Sequence, residues 1–213
     1  MRGRPAQRQA AASTQAARGK RALDLRVRAD AEPNVSLGVW VFAYGSLIFR
    51  PDFPFCERRA ARLHGFARRF WQRSPDHRGT PAAPGRVVTL IEEPGTDVLG
   101  VAYRITPDSA RAVLAELDLR ERAGYEREQV EIEFNEAPFG SAYAFMYRAR
   151  RGNPDFSDDL STREVAEIAS TARGPSGDNA SYVRQLAQAL RDLGEVDPHV
   201  FEIERLLLES SQK

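Results

Sequence analysis

A chain of 213 residues that is 42% hydrophobic and 29% charged has the composition of an ordinary globular protein and the length for one sizeable core. Its 31 lysines and arginines nearly cancel its 30 aspartates and glutamates, so no global field points to nucleic acid, an anionic membrane or another charged partner. The single cysteine, Cys56, excludes an internal disulfide or cysteine zinc cluster, the three histidines (His64, His77, His199) form no ligand pair, and no run approaches the roughly 18 apolar residues of a membrane helix.

Residues 1–36 are rich in Arg, Ala, Gln and Ser, lack an aromatic residue and carry their first acid at Asp24. Such a segment buries too little apolar surface to offset chain entropy and is expected to be disordered. An organelle transit peptide and a basic arm for an acidic partner are the alternative readings of the same composition. With one cysteine, a reducing compartment, the cytoplasm, is the expected location.

The folded domain is expected over 39–208. It opens at Val39 with VWVFAY, a short apolar run typical of a buried strand, which stops at Gly45-Ser46. Further strand-like runs cover Ala67 to Gln72, Val87 to Glu92, Leu99 to Ile105, Gln129 to Phe134 and Ala142 to Tyr147. Thr106-Pro107 starts a helix that runs to about Arg120, and Ser161 with Glu164 forms a capping-box pattern for Thr162 to Ala172. Two more helices are predicted over Asn179 to Leu193 and Pro198 to Glu209. Strands dominate the first part and helices cluster at the C-terminus, so the fold class is α+β in one domain, with a sheet able to curl into a barrel.

Four segments have residue types suited to chemistry. Tyr44-Gly45-Ser46-Leu47-Ile48 follows the first strand; its backbone N–H groups can form an anion-binding concavity or simply turn the chain. Arg68 to Leu90 gathers arginines, aromatics and turn residues; an arginine there can hold a carboxylate through two parallel bonds, or the segment is a twisted hairpin with solvated arginines. In Glu116 to Tyr125, Ala110, Val113, Leu114 and Leu117 mark the core-facing stripe and Gly124 the stop, which leaves Glu121 at the helix end. A carboxylate is disfavoured beside the negative end of a helix dipole, and that misfit points to function, although the local acids and arginines also fit a solvated face. Gly174 to Tyr182 leads into a helix whose first N–H groups can receive an anion or be capped by Asp178 or Asn179.

In this order and at these spacings, VFAYGSLIF (Val41 to Phe49), RRFWQRSPDHRGTPAAPGRVVTL (Arg68 to Leu90), GVAYR (Gly100 to Arg104), LDLRERAGY (Leu117 to Tyr125), NPDF (Asn153 to Phe156) and GPSGDNASYV (Gly174 to Val183) resemble the ChaC-type glutathione-specific γ-glutamylcyclotransferases. The resemblance spans nearly all of Val39 to Leu208. It implies a small mixed β-barrel with flanking and C-terminal helices, and a substrate loop drawn from Val41, Phe42, Ala43, Tyr44, Gly45, Ser46 and Leu47. It also implies Glu121 as the catalytic acid/base and glutathione as the small-molecule substrate; the scarcity of Cys and His ligands and a nucleophile contained in the substrate call for no metal or organic cofactor. Ala43 stands where the family pattern has glycine, and Asp178 and Ser181 where it has a basic residue and a glutamate. Other γ-glutamyl peptides as substrates, or a non-catalytic protein that binds a γ-glutamyl ligand, are the competing functions, and the oligomeric state is left open.

Overall fold

The computed structural model describes residues 38–121 and 124–210. The expectation of disorder over 1–36 falls outside the described residues. Five strands, β1 (Val39–Ala43), β2 (Glu57–Ser74), β3 (Gly85–Ile105), β4 (Tyr125–Phe134) and β5 (Ser141–Ala149), close into a barrel in the order β1-β3-β2-β4-β5. Every neighbouring pair is antiparallel except the seam, where β1 runs parallel to β5 with Trp40 opposite Ala144 and Val41 opposite Phe145. The barrel is therefore mixed, and the α+β expectation holds.

The strands differ from the sequence reading in length. β3 joins the two runs expected at Val87–Glu92 and Leu99–Ile105, and β2 extends ten residues upstream of Ala67. Bulges explain both differences. His64 pairs with Asp97 and Phe66 with Glu92, so Glu93 to Thr96 lies opposite Gly65 alone. Thr96 Oγ1 spans that bulge, within 2.9 Å of the Phe66 carbonyl and 2.7 Å of the Glu93 carbonyl. Upstream, Ala61 and Leu63 point inward while Arg58, Arg62 and His64 face outward, and this charged outer face hides the strand period in the sequence.

The helices fall where their start signals place them, although the Thr106 side chain makes no capping bond and the first helix starts on Pro107 alone. In α1 (Pro107–Arg120), Ala110, Val113, Leu114 and Leu117 are the buried face. In α2 (Thr162–Thr171), Ser161 and Glu164 make the reciprocal capping box, with the Glu164 N–H donating to Ser161 Oγ at 3.3 Å and the Ser161 N–H to Glu164 Oε2 at 2.8 Å. A two-strand hairpin, β6 (Arg173–Gly174) with β7 (Gly177–Asp178), leads into α3 (Asn179–Asp192), and α4 (Pro198–Ser210) ends the described chain. Helices α2, α3 and α4 pack on one another and against β2 and β3, burying Val165, Ala169, Val183, Leu186, Leu190, Val200 and Ile203.

Two polar contacts fix the parts of this frame. Asn179, with no exposed surface, accepts the Arg86 N–H at 2.6 Å and donates to the Arg86 carbonyl at 2.7 Å, so the start of α3 is held to β3 as a strand neighbour would be. Arg68 of β2 is 1% exposed. Its Nε donates to the Tyr44 carbonyl at 2.8 Å, one Nη donates to the Leu99 carbonyl, and the other lies 3.3 Å from Asp197 Oδ2. Asp197 in turn accepts the Val200 N–H at 3.1 Å at the start of α4.

Replacing Arg68 by Met keeps an unbranched apolar stem but leaves Asp197 and two carbonyls without their donor. The expected loss is about 3–5 kcal/mol of folding stability, the cost of breaking a buried ion pair from one side. Urea denaturation of wild type and Arg68→Met checks it; a loss below about 1 kcal/mol would show that the clamp is replaceable.

Candidate active site

β1 delivers the chain into a short 3₁₀ turn, Ser46–Ile48, whose Gly45 N-cap position carries no side-chain cap. The turn is closed by the Ile48 N–H on the Gly45 carbonyl at 3.0 Å and by the Arg50 N–H on the Ser46 carbonyl at 2.8 Å. Its carbonyl side is thereby engaged. A Cβ placed on Gly45 would come within 3.0 Å of Val88 Cγ2 and 3.4 Å of Tyr182 Oη, so a side chain there would press into the space above the turn.

That space is a cavity of 410 Å³. Phe42, Ala43, Tyr44, Gly45, Ser46 and Leu47 form one wall, and Glu121 with Arg120 and Leu117 forms another. Val41 is fully buried in the core and is not part of the wall. The sequence-predicted loop and glutamate, far apart along the chain, are brought to one cavity.

Glu121 is the C-cap of α1, its N–H donating to the Leu117 carbonyl at 2.9 Å. Gly124, at φ +85°, turns the chain toward β4, and its carbonyl accepts Asn153 Nδ2 at 3.0 Å. The Glu121 side chain retains 19% of its exposure. Burial raises its pKa above the usual carboxylate value; Arg120 and His77 act against that rise and Asp76 adds to it. A carboxyl held in this way exchanges protons nearer neutrality than a solvated one.

Arg120 ties the two walls together. One Nη donates to Ser46 Oγ at 3.1 Å, the other lies 3.6 Å from Asp52 Oδ2, and its Nε lies 3.4 Å from Glu121 Oε1. Four tyrosines complete the lining. Tyr44 Oη donates to the Tyr147 carbonyl at 2.6 Å, Tyr147 Oη to Asp118 Oδ1 at 2.7 Å, and Tyr125 Oη to the Val88 carbonyl at 2.7 Å, while Tyr182 Oη accepts the Val88 N–H at 3.4 Å. Burial raises the pKa of each, that of Tyr182 to about 12, so all four are neutral phenols near pH 7.

The remaining sequence candidates divide. His77 lines the cavity, its Nδ1 lies 3.1 Å from Ser176 Oγ, and its carbonyl accepts the Ser176 N–H at 2.9 Å. At the start of α3, Asp178 accepts the Ser181 N–H at 2.6 Å, so capping, not anion binding, accounts for that segment. His199 is a neutral acceptor for the Phe70 N–H at 2.9 Å, its pKa pushed down to about 4 by burial and by Arg69. Among the described residues no three His, Cys, Asp or Glu are grouped to hold a metal ion. Sequence reasoning did not single out Arg120, Tyr125, Tyr147 or Tyr182; the polar end of a mostly buried tyrosine is visible only once the strands and helices are placed.

The fold is similar to that of a crystal structure of the yeast γ-glutamyl cyclotransferase specific to glutathione, with a TM-score of 0.75 and 30% identity over 81% of this chain and 96% of that one. The ChaC-like protein family model matches residues 39–210, and the chain belongs to that family. Its relatives include glutathione-specific γ-glutamylcyclotransferase 1 of Danio rerio, 37% identical over 80% of this chain and 89% of the relative. The glutathione-specific γ-glutamylcyclotransferase of Schizosaccharomyces pombe is 39% identical over 82% of this chain and 95% of its own length.

The raised pKa of Glu121 makes a stability prediction. The folded protein holds the Glu121 proton more tightly than the unfolded chain, so this group's contribution is full below the ordinary carboxylate pKa and is lost as pH rises through the raised value. Glu121→Gln lacks that loss. Its Tm relative to wild type should be higher at about pH 8 than at about pH 4, with the change centred above the usual glutamate range. Melting curves across pH check this; a Tm difference independent of pH would contradict it.

Proposed function

We propose that the chain is a glutathione-specific γ-glutamylcyclotransferase, which converts glutathione to 5-oxoproline and cysteinylglycine. The observation that carries this reading is the shielded, pKa-raised Glu121 facing the Tyr44–Leu47 turn across one cavity. The named activity of the relatives supports it.

The nucleophile is part of the substrate. The α-amine of the γ-glutamyl group attacks its own γ-carbonyl carbon, a C–N bond closes the five-membered lactam, and the bond to the cysteine nitrogen breaks. Protons leave the attacking nitrogen and arrive on the departing amine, so no water is consumed. Glu121 takes a proton from the α-ammonium and returns one to the leaving amine, a single carboxyl acting first as base and then as acid. Its raised pKa brings both steps closer to neutral pH than a solvated glutamate would allow. Arg120, bonded to Ser46 and beside Glu121, holds the carboxyl in register with the turn.

The backbone N–H groups of Gly45, Ser46 and Leu47 receive the α-carboxylate or the oxyanion that forms at the γ-carbonyl. Val41, Phe42 and Ala43 set the position of that turn from β1. The cavity walls fold the flexible γ-glutamyl chain so that amine and carbonyl meet, which removes much of the entropic barrier to ring closure. The lone cysteine agrees with a cytoplasmic enzyme. No helix among the described residues is long and apolar enough to cross a membrane.

Glu121→Gln should lower 5-oxoproline formation from glutathione by about a hundredfold to ten-thousandfold. Product assay on the purified protein checks it, and activity within about threefold of wild type would remove Glu121 from the mechanism. The domain over 39–208 is proposed to suffice for catalysis. A chain beginning near Pro33 should keep its glutathione-cleaving rate, and a folded but inactive truncation would show that the preceding segment reaches the cavity.

A further inference from the structure

The stretch from Arg68 to Arg86 holds five arginines, and their surroundings separate them by role. Arg68 is taken up by Tyr44, Leu99 and Asp197. Arg69 pairs with Glu93 at 2.5 Å, and Arg73 lies 3.6 Å from Asp155 and donates to the Pro154 carbonyl. Arg86 bends back onto the Gly85 carbonyl at 3.0 Å.

Arg78 differs in being both buried and open to the cavity. It is 7% exposed and lines the same space as Glu121 and the Tyr44–Leu47 turn. Its guanidinium sits over the Tyr182 ring, 5.2 Å from the centroid, a stacking that holds the planar group in one orientation. The one acceptor it meets among the described residues is the Asp178 carbonyl, at a long 3.4 Å from Nη1. The Asp178 carboxylate is turned away, toward the Ser181 N–H and hydroxyl at 2.6 and 2.9 Å. The other cavity arginines have carboxylate partners: Arg50 lies 2.9 Å from Asp52, and Arg120 is near Asp52 and Glu121.

A buried cation without a counter-charge is costly, and a structure that keeps one facing a cavity is shaped for an anion. Arg50 and Arg120 add like charge around it, and burial together with these neighbours lowers the Arg78 pKa. An arriving anion removes both penalties.

We propose that Arg78 is a carboxylate receptor in this cavity, additional to the backbone N–H groups of the turn, and binds a substrate carboxylate through its free guanidinium edge. This deepens the reading of the cavity as a glutathione site and rests on it. Glutathione offers two such groups, the α-carboxylate of its glutamyl residue and the carboxylate of its glycine. Binding there orients the peptide against the turn and selects ligands that carry the charge.

The test uses full-length Glu121→Gln protein and calorimetric titration with glutathione, its glycyl ethyl ester, and its glutamyl α-carboxamide. One neutralised analogue should bind about tenfold to a hundredfold more weakly than glutathione, the range expected for a lost charge-assisted bond, and the weaker one identifies the carboxylate held. Adding Arg78→Gln should weaken glutathione by a similar factor and abolish its advantage over that analogue, while Arg78→Lys should restore part of it. Equal binding of all three ligands by the parent protein would overturn the proposal. So would undiminished glutathione binding by a cooperatively folded Arg78→Gln chain. If Arg78→Gln does not fold, Arg78→Lys decides: a folded Arg78→Lys chain that keeps the full preference for glutathione over that analogue would overturn the proposal. Wild-type protein that binds glutathione with this discrimination yet releases no 5-oxoproline would remove the cyclotransferase reading and leave the receptor in place.

Discussion

A guanidinium can sit in a protein interior only if its donors are taken up, and Arg68 satisfies that demand by holding together parts of the chain that are remote in sequence. From the middle of β2 it reaches the carbonyl at the end of β1, a carbonyl in β3 and the residue that starts α4. The end of β1 is where the Tyr44–Leu47 turn begins. The turn is thereby referenced to the barrel and to the C-terminal helices at once, and it forms one wall of the cavity.

The opposite wall is fixed by a different means. α1 presses Val113, Leu114 and Leu117 into the core and then stops, so its last residues meet the cavity at the helix end. A carboxylate at that position is opposed by the carbonyl ends of the helix and by partial burial, and both favour its protonated form. Arg120 counters them from one side. The result is a carboxyl that holds its proton more tightly than a solvated glutamate, set among neutral phenols that are themselves held by hydrogen bonds to backbone or side-chain atoms.

Much of this was legible along the chain. Helix boundaries could be read because capping and stop signals are local, as Ser161, Glu164 and Gly124 illustrate. The Tyr44–Leu47 turn stood out because a buried strand ends there, and Glu121 because its charge sits badly with its place on the helix. The long strands were less visible. Their continuity depends on bulges opposite Gly65 and near Trp71, and a bulge looks like a turn until its partner strand is known. The individual fates of Arg68, Arg73, Arg78 and Arg86 were also hidden, because an arginine's role depends on which carbonyl or carboxylate it meets, and those partners lie on other elements.

The parallel seam between β1 and β5 bears on how the protein is made. A parallel pair cannot be built from a local hairpin, so the first strand must wait, its edge unsatisfied, until the last strand of the barrel has been synthesised. Tyr44, directly after β1, completes its hydroxyl bond only with a carbonyl 103 positions later. The nascent chain therefore has no pocket while its N-terminal half emerges from the ribosome. Ligand binding becomes available late, after most of the domain has left the exit tunnel, and an exposed apolar strand waiting through that interval is a natural client for a chaperone.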